Sequence, residues 1–318
     1  MRPLRKTTFT VSAMSSWVLS TLAIASPAMA SGPPSAAPVI VPFDFSRNAI
    51  GLDVKVKGVQ LYMLLDTGVD PSIIDLSRTG TLRLKIDRKD GGNASGFGEG
   101  KAPSVFPSRI DQLALGDRTF ASFDALAFDT TGISASYGRK IDGILGYSFL
   151  SDKVVLIDYP EHRLGIFDKA GEADAITGAC HKRWSTPLMT ADNFPVIANF
   201  RLGATNAPVS FDTGSNGGIA LFQSALALPG IRGELTEKGA ITHVGARGEA
   251  KSKSYLLKAP VGMGPFGLPP GQTVTLHGEA AASDMRLANV GNKLFAEMKL
   301  KMLLDYPAKT ITAFGDCH

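Results

Sequence analysis

Two aspartates, Asp66 and Asp212, each open an Asp-Thr-Gly triplet at the end of an apolar run, in LYMLLDTGVD and APVSFDTGSN. Two carboxyls held about 3 Å apart cannot both ionise, so they share one proton and titrate in two coupled steps. The ionised member can take a proton from a water while the protonated member gives one to a carbonyl oxygen. That is general acid–base hydrolysis without a covalent intermediate. One triplet supplies half of this machinery, and alone it is equally well explained by a turn, since Asp and Gly are both common there.

The flanking sequence repeats with the triplet. Asp66 is followed by IDGILGYSFL and VVLIDYPEHRLGIF, which place Gly146 80 residues and Asp158 92 residues further on. Asp212 is followed by LANVGNKLF and MLLDYPAKTITAF, which place Gly291 79 residues and Asp305 93 residues further on. Upstream, IGLDVKVKGVQLYMLL and PVIANFRLGATNAPVSF both read as strand, Gly-containing turn and strand running into the Asp. Anchors in register to within one residue indicate duplication of one β-rich unit.

These residues resemble the retropepsin-like and pepsin-like aspartyl peptidases, in a two-lobed bacterial secreted form, over nearly all of the chain after its first 40 residues. The resemblance implies an all-β fold of two homologous lobes with a cleft between them, over residues 38–178 and 179–318. It assigns catalysis to Asp66 and Asp212. Thr67 and Thr213 would lock the two loops together, and Gly68 and Gly214 would let the backbone approach the carboxylates. A hydrophobic-hydrophobic-Gly segment packs beside each loop in this family; Ile144-Leu145-Gly146 fits, and Val290-Gly291 fits with Asn289 before it. Ser215 conforms to the residue expected after the triplet and Val69 does not. Because a Ser hydroxyl can bond Asp212 and Val69 cannot do so for Asp66, the resting proton is expected mainly on Asp66. A flap hairpin is expected at Gly96, Phe97 and Gly98, within GGNASGFGEGK, where an ordinary exposed turn is the alternative. HVGARGEAK, residues 243–251, is its counterpart in the second lobe.

The first 30 residues read as a secretory signal: Arg2, Arg5 and Lys6, then the apolar WVLSTLAIA, then an Ala28-Met29-Ala30 cleavage site, with an uncleaved anchor as the alternative. Residues 31–37 form a flexible leader, and no later stretch approaches the ~20 apolar residues of a membrane helix. The expectation is an exported protein of the periplasm or extracellular space with no stable membrane insertion after cleavage. Of the formal charge of +4, three positive charges sit in the first 30 residues, which hold no acidic residue, so the remainder is near neutral. The pI of about 9.0 is therefore no argument for a nucleic-acid partner. With 34 Gly and 19 Pro among short apolar runs, few helices are expected. Two are placed at ALFQSALAL, residues 220–228, and NKLFAEMK, residues 292–299.

The two cysteines, Cys180 and Cys317, form an even pair in an exported chain and suggest a disulfide closing a 137-residue separation, worth about 4 kcal/mol on the chain-entropy model. His181 and His318 follow them, so a Cys₂His₂ metal site and two free thiols remain open, although adjacent ligands rarely converge on one ion. No zinc-protease, nucleophile-elbow or phosphate-loop motif is present, and His162, His243 and His277 are scattered. The reading is a monomeric aspartic endopeptidase, without metal or organic cofactor, acting on a polypeptide bound in extended form with apolar side chains at the scissile bond. The alternative is a catalytically inactive peptide-binding or scaffold protein of the same fold, since fold does not settle activity.

Overall fold

Strands of two to twelve residues, separated by turns and short helices, make up three quarters of the elements. The computed structural model describes residues 37–94, 99–191, 193–245, 247–277 and 285–317; the segment read as a signal peptide lies outside them. The turn at Lys57-Gly58 shows how local sequence sets geometry. Both residues take positive φ, 49° and 80°, and join Val56 to Val59 as the two-residue mirror-image turn that matches strand twist. Glycine adopts this conformation at little steric cost.

The first half forms a nine-stranded sheet in the order Gly92–Asn93, Ser104–Ile110, Phe123–Phe128, Ser72–Asp75, Gly143–Leu145, Val59–Leu65, Gly51–Val56, Leu113–Leu115, Arg118–Phe120. The second half repeats that order strand for strand: Leu235–Gly245, Gly248–Leu257, Gln272–Leu276, Ile219–Leu221, Ala288–Gly291, Thr205–Asp212, Phe194–Leu202, Val261–Met263, Phe266–Leu268. Even the parallel pairs correspond, Gly143–Leu145 on Val59–Leu65 and Ala288–Gly291 on Thr205–Asp212. The duplication read from sequence anchors is thus a duplication of topology.

Six further strands join the halves, in the order Val39–Pro42, Arg163–Phe167, Val154–Asp158, Lys301–Asp305, Thr310–Cys317, Cys180–Ala191. Val154–Asp158 and Lys301–Asp305 meet antiparallel with Leu156 opposite Leu303. Every residue of both strands is buried, which is why VVLID and KMLLD read as continuous apolar runs rather than alternating ones. Their charged members are paired: Asp158 accepts hydrogen bonds from Lys301 and Arg163, each at 2.9 Å. The same core takes in Leu52, Met63 and Phe149 from the first half and Phe200, Phe211 and Phe295 from the second. Each such side chain contributes roughly 1.5–3 kcal/mol by burial.

Cys180 and Cys317 face each other across the last strand pair and are joined as a disulfide. Bonded sulfurs are not thiolate ligands, so the Cys₂His₂ alternative falls away. One helix expectation is corrected. Residues 292–297 are helical, but within 220–228 the chain first completes the strand Ile219–Leu221 and then makes only a 3₁₀ turn, Gln223–Ala227. Two neighbours claim the strand, Ala288–Gly291 and Gln272–Leu276, and Leu228 is held extended before Pro229.

Candidate active site

Each aspartate is delivered by the end of a strand into a loop braced from the opposite half. Asp212 ends Thr205–Asp212, and Asp66 follows Val59–Leu65 with its N–H on the Leu145 carbonyl at 3.0 Å. The threonines interlock. Thr67 Oγ1 donates to the Phe211 carbonyl at 2.6 Å and accepts from the Thr213 N–H at 3.0 Å; Thr213 Oγ1 donates to the Leu65 carbonyl at 3.0 Å and accepts from the Thr67 N–H at 2.9 Å. Both are buried, so all four bonds are shielded from water.

The interlock sets the two carboxyls side by side, Asp66 against Gly214 and Asp212 against Gly68, close enough for each to feel the other's charge. Gly68 N–H donates to Asp66 Oδ1 at 2.7 Å, and Gly214 N–H donates to Asp212 Oδ1 at 3.0 Å. A Cβ on Gly214 would overlap the Asp66 carboxyl, and one on Gly68 would stand 2.9 Å from Asp212 Oδ1, so only glycine lets each loop close over the opposite aspartate. Gly146 and Gly291 are equally confined: a Cβ would collide with the Val69 carbonyl in the first case and with the Ser215 and Gly217 carbonyls in the second. Ile144-Leu145 and Val290 lie buried beside the two loops on the parallel partner strands.

Burial and mutual repulsion push the Asp66 carboxyl well above the usual carboxylate range, and burial also raises Asp212. The N–H groups of Gly214 and Ser215 and the guanidinium of Arg286 favour the charged form of Asp212, and the N–H groups of Gly68 and Gly214 favour that of Asp66. The sequence argument placed the Ser215 hydroxyl on Asp212; the contact is instead its main-chain N–H at 3.2 Å, while the hydroxyl lies against Gly291. Asn292 N–H donates to the Ser215 carbonyl at 3.0 Å, which fastens the same loop to the start of the helix after Gly291.

Several neighbours carry no motif and escape sequence reading. Asn292, fully buried, donates through Nδ2 to the Thr213 carbonyl at 2.7 Å and the Asn48 carbonyl at 3.0 Å, and accepts from the Tyr159 hydroxyl at 2.8 Å. Phe194 lies against Gly68 from the second half, and Asn193 donates to Asp70 at 2.7 Å. Tyr137 faces the pair from the helix Thr131–Tyr137, its phenol pushed up to about 12 by burial and by both aspartates. The repeat gives no signal for Asn292 or Arg286, since it aligns them with Tyr147 and Ile141.

Gly96, Phe97 and Gly98 lie outside the described residues. Just past them, Glu99 and Gly100 donate main-chain hydrogen bonds to the Glu249 and Arg247 carbonyls, at 3.1 and 2.7 Å. Of residues 243–251, His243 to Gly245 and Gly248 to Lys251 pair in the hairpin Leu235–Gly245 and Gly248–Leu257. Among the described residues no cluster of three or more His, Cys, Asp or Glu could hold a metal ion, and no helix is long and apolar enough to cross a membrane.

No curated protein matches the chain. The family model for aspartyl proteases matches residues 52–149, the stretch that runs from the strand before Asp66 to the helix after Gly146. That match makes the first half similar to aspartyl proteases, and the second half repeats its strand order and carries the second Asp-Thr-Gly triplet.

Proposed function

We propose that this protein is an aspartic endopeptidase that hydrolyses peptide bonds with water activated between Asp66 and Asp212. The observation that carries the reading is the carboxyl pair, each carboxyl lying against the glycine of the opposite loop and both loops clamped by reciprocal threonines from the two halves. The carboxylate of Asp212 removes a proton from water as its oxygen attacks the peptide carbonyl carbon, and protonated Asp66 gives its proton to the carbonyl oxygen. The product is a neutral tetrahedral diol. Its collapse breaks the C–N bond: Asp66, now a carboxylate, takes a proton from one hydroxyl and Asp212 returns one to the departing nitrogen, which restores the resting state. Backbone N–H groups at Gly68, Gly214 and Ser215 keep the carboxyls oriented throughout.

The substrate in this reading is a polypeptide bound as an extended strand in a cleft between two lobes. Both aspartates lie in one chain, so a monomer suffices. Residues 1–30 export the protein to the periplasm or beyond, in keeping with the disulfide. No cofactor takes part.

The test is incubation of the protein, lacking residues 1–30, with a diverse peptide library between about pH 3 and pH 7, beside Asp66→Asn and Asp212→Asn. Cleavage that falls at least about 10³-fold in each variant is the expected result. Cleavage that survives both substitutions overturns the mechanism. An intact library with folded wild-type protein overturns the catalytic reading and favours a peptide-binding role.

A further inference from the structure

The repeat allows each dyad neighbour to be compared with its counterpart. Backbone bonds fix the correspondence: Asp142 N–H to the Tyr62 carbonyl in the first half is Leu287 N–H to the Pro208 carbonyl in the second. Arg286 therefore stands where the first half has Ile141, and Ser210 where it has Leu64. Leu64 and Ile141 are buried together in an apolar cluster with Ala49. Arg286 Nη1 instead donates to the buried Ser210 hydroxyl at 3.0 Å, and its guanidinium lies 5.0 Å from the centre of the Phe194 ring and 5.8 Å from that of Phe222. Ser210 and Asp212 are two residues apart on one strand, so their side chains share a face about 7 Å apart. Phe194 completes the circuit, since its ring abuts Gly68 where Asp212 Oδ1 also abuts it.

We propose that Arg286 is a positioning residue for the reaction: anchored on Ser210 and stacked on Phe194, it makes Asp212 the ionised partner and leaves the shared proton on Asp66. The inference rests on the dyad reading given above. Among the described residues, the groups that bear on the charge of the pair are the N–H groups of Gly68, Gly214 and Ser215, the phenols of Tyr137 and Tyr306, and Arg286. Burial keeps both phenols neutral across the acid and neutral range, so the charge that distinguishes one aspartate from the other comes from Arg286. A cation anchored on Ser210, the same-face neighbour of Asp212, favours the Asp212 carboxylate over its protonated form.

The experiment is carboxyl titration of ¹³C-Asp-labelled protein by NMR, with Asp66→Asn and Asp212→Asn to assign the signals, in wild type, Arg286→Met, Arg286→Lys and Ser210→Ala. Arg286→Met is expected to raise the lower of the two dyad midpoints by about one pH unit, with Arg286→Lys restoring most of the difference. Ser210→Ala, which keeps the charge and frees its anchor, is expected to fall between them and guards against loss of folding in Arg286→Met. The acid limb of cleavage should move up in the same order, with little change in KM. Midpoints that stay unchanged in Arg286→Met, or a first proton lost from Asp66, overturn the proposal. Titration needs no turnover, so coupled midpoints that respond to Arg286 in a protein that cuts nothing would sink the peptidase reading and leave this inference standing.

Discussion

The two halves agree in backbone and disagree in polarity. Each runs through the same nine-strand order, each places a glycine beside the opposite aspartate, and each contributes one threonine to the interlock. Around that shared frame the side chains trade places. The first half carries Asp75 and Lys140 as an ion pair at 2.7 Å, with Leu64 and Ile141 apolar. In the second half the positions of Asp75 and Lys140 are Phe222 and Met285, while those of Leu64 and Ile141 are Ser210 and Arg286. Side chains alternate across a strand, so the polar pair occupies one face of this strand pair in the first half and the opposite face in the second. A duplicated scaffold can thus keep its hydrogen-bond geometry fixed while the electrostatics of two chemically identical carboxyls diverge.

The strongest way to break the comparison is to attack its symmetric part. Thr67→Val and Thr213→Val conserve volume but remove an oxygen that both donates to and accepts from the other loop, stranding a buried N–H and a buried carbonyl. Each should cost about 2–4 kcal/mol in urea unfolding and abolish most activity, with the two values within about 0.5 kcal/mol of each other. A clear inequality would show that one loop depends on the interlock more than its twin.

A finer cut separates the two conserved tyrosines of the DYP segments. The Tyr159 hydroxyl donates to Asn292, which in turn holds the Thr213 loop. Its counterpart Tyr306 packs edge-on against Tyr147, at 6.1 Å between ring centres, and among the described residues its buried hydroxyl has no hydrogen-bond partner. Tyr159→Phe should therefore lose about 1–2 kcal/mol, whereas Tyr306→Phe should be neutral or gain up to about 1 kcal/mol. Equal losses would mean that the hydroxyls do equivalent work and that this asymmetry is without energetic weight.

What was legible in the sequence follows the same division. The β-rich class, the pairing of Asp66 with Asp212 and the anchors at Gly146 and Gly291 depend on backbone geometry. Close approach admits little but glycine there, so the residue type itself is the signal. Arg286, Phe194 and Asn292 were not legible as site residues, because an arginine five positions before a glycine has no local meaning. They matter only once the sheet brings Ser210, Gly68 and Thr213 alongside. The Ser215 hydroxyl was misassigned for a related reason: the residue type was right for a bond to Asp212, but in the loop fastened by Asn292 it lies against Gly291. Residues 220–228 misled through composition, since Ala220 and Leu221 are recruited into a strand by two neighbours and the rest of the helix-favouring run makes only a 3₁₀ turn.

The smallest expected effect tests whether the traded charges are local. Burial opposes ionisation of Asp75, but the Lys140 ammonium, the Ser77 and Thr130 hydroxyls and the Ser77 N–H outweigh it and hold the carboxyl down at about 2. A carboxyl lowered in the folded state contributes stability that is fully present above its unfolded value, about 3.9, and is lost as pH falls toward 2. Lys140→Met gives the first half the residue of the second, lifts the folded value toward 3.9 and removes part of that contribution. Lys140 is half exposed, so solvent screening limits the loss to about 1 kcal/mol at pH 5–7, and it should vanish near pH 2, where Asp75 is protonated in both proteins. The reciprocal change, Met285→Lys, puts the ammonium on an exposed position with Phe222 rather than a carboxylate behind it, and should alter stability by less than about 0.5 kcal/mol at any pH. Thermal melts of both variants across pH 2–7 decide the point: a pH-independent loss in Lys140→Met would assign its role to packing of the side-chain stem, and the charge exchange between the halves would then be confined to Arg286.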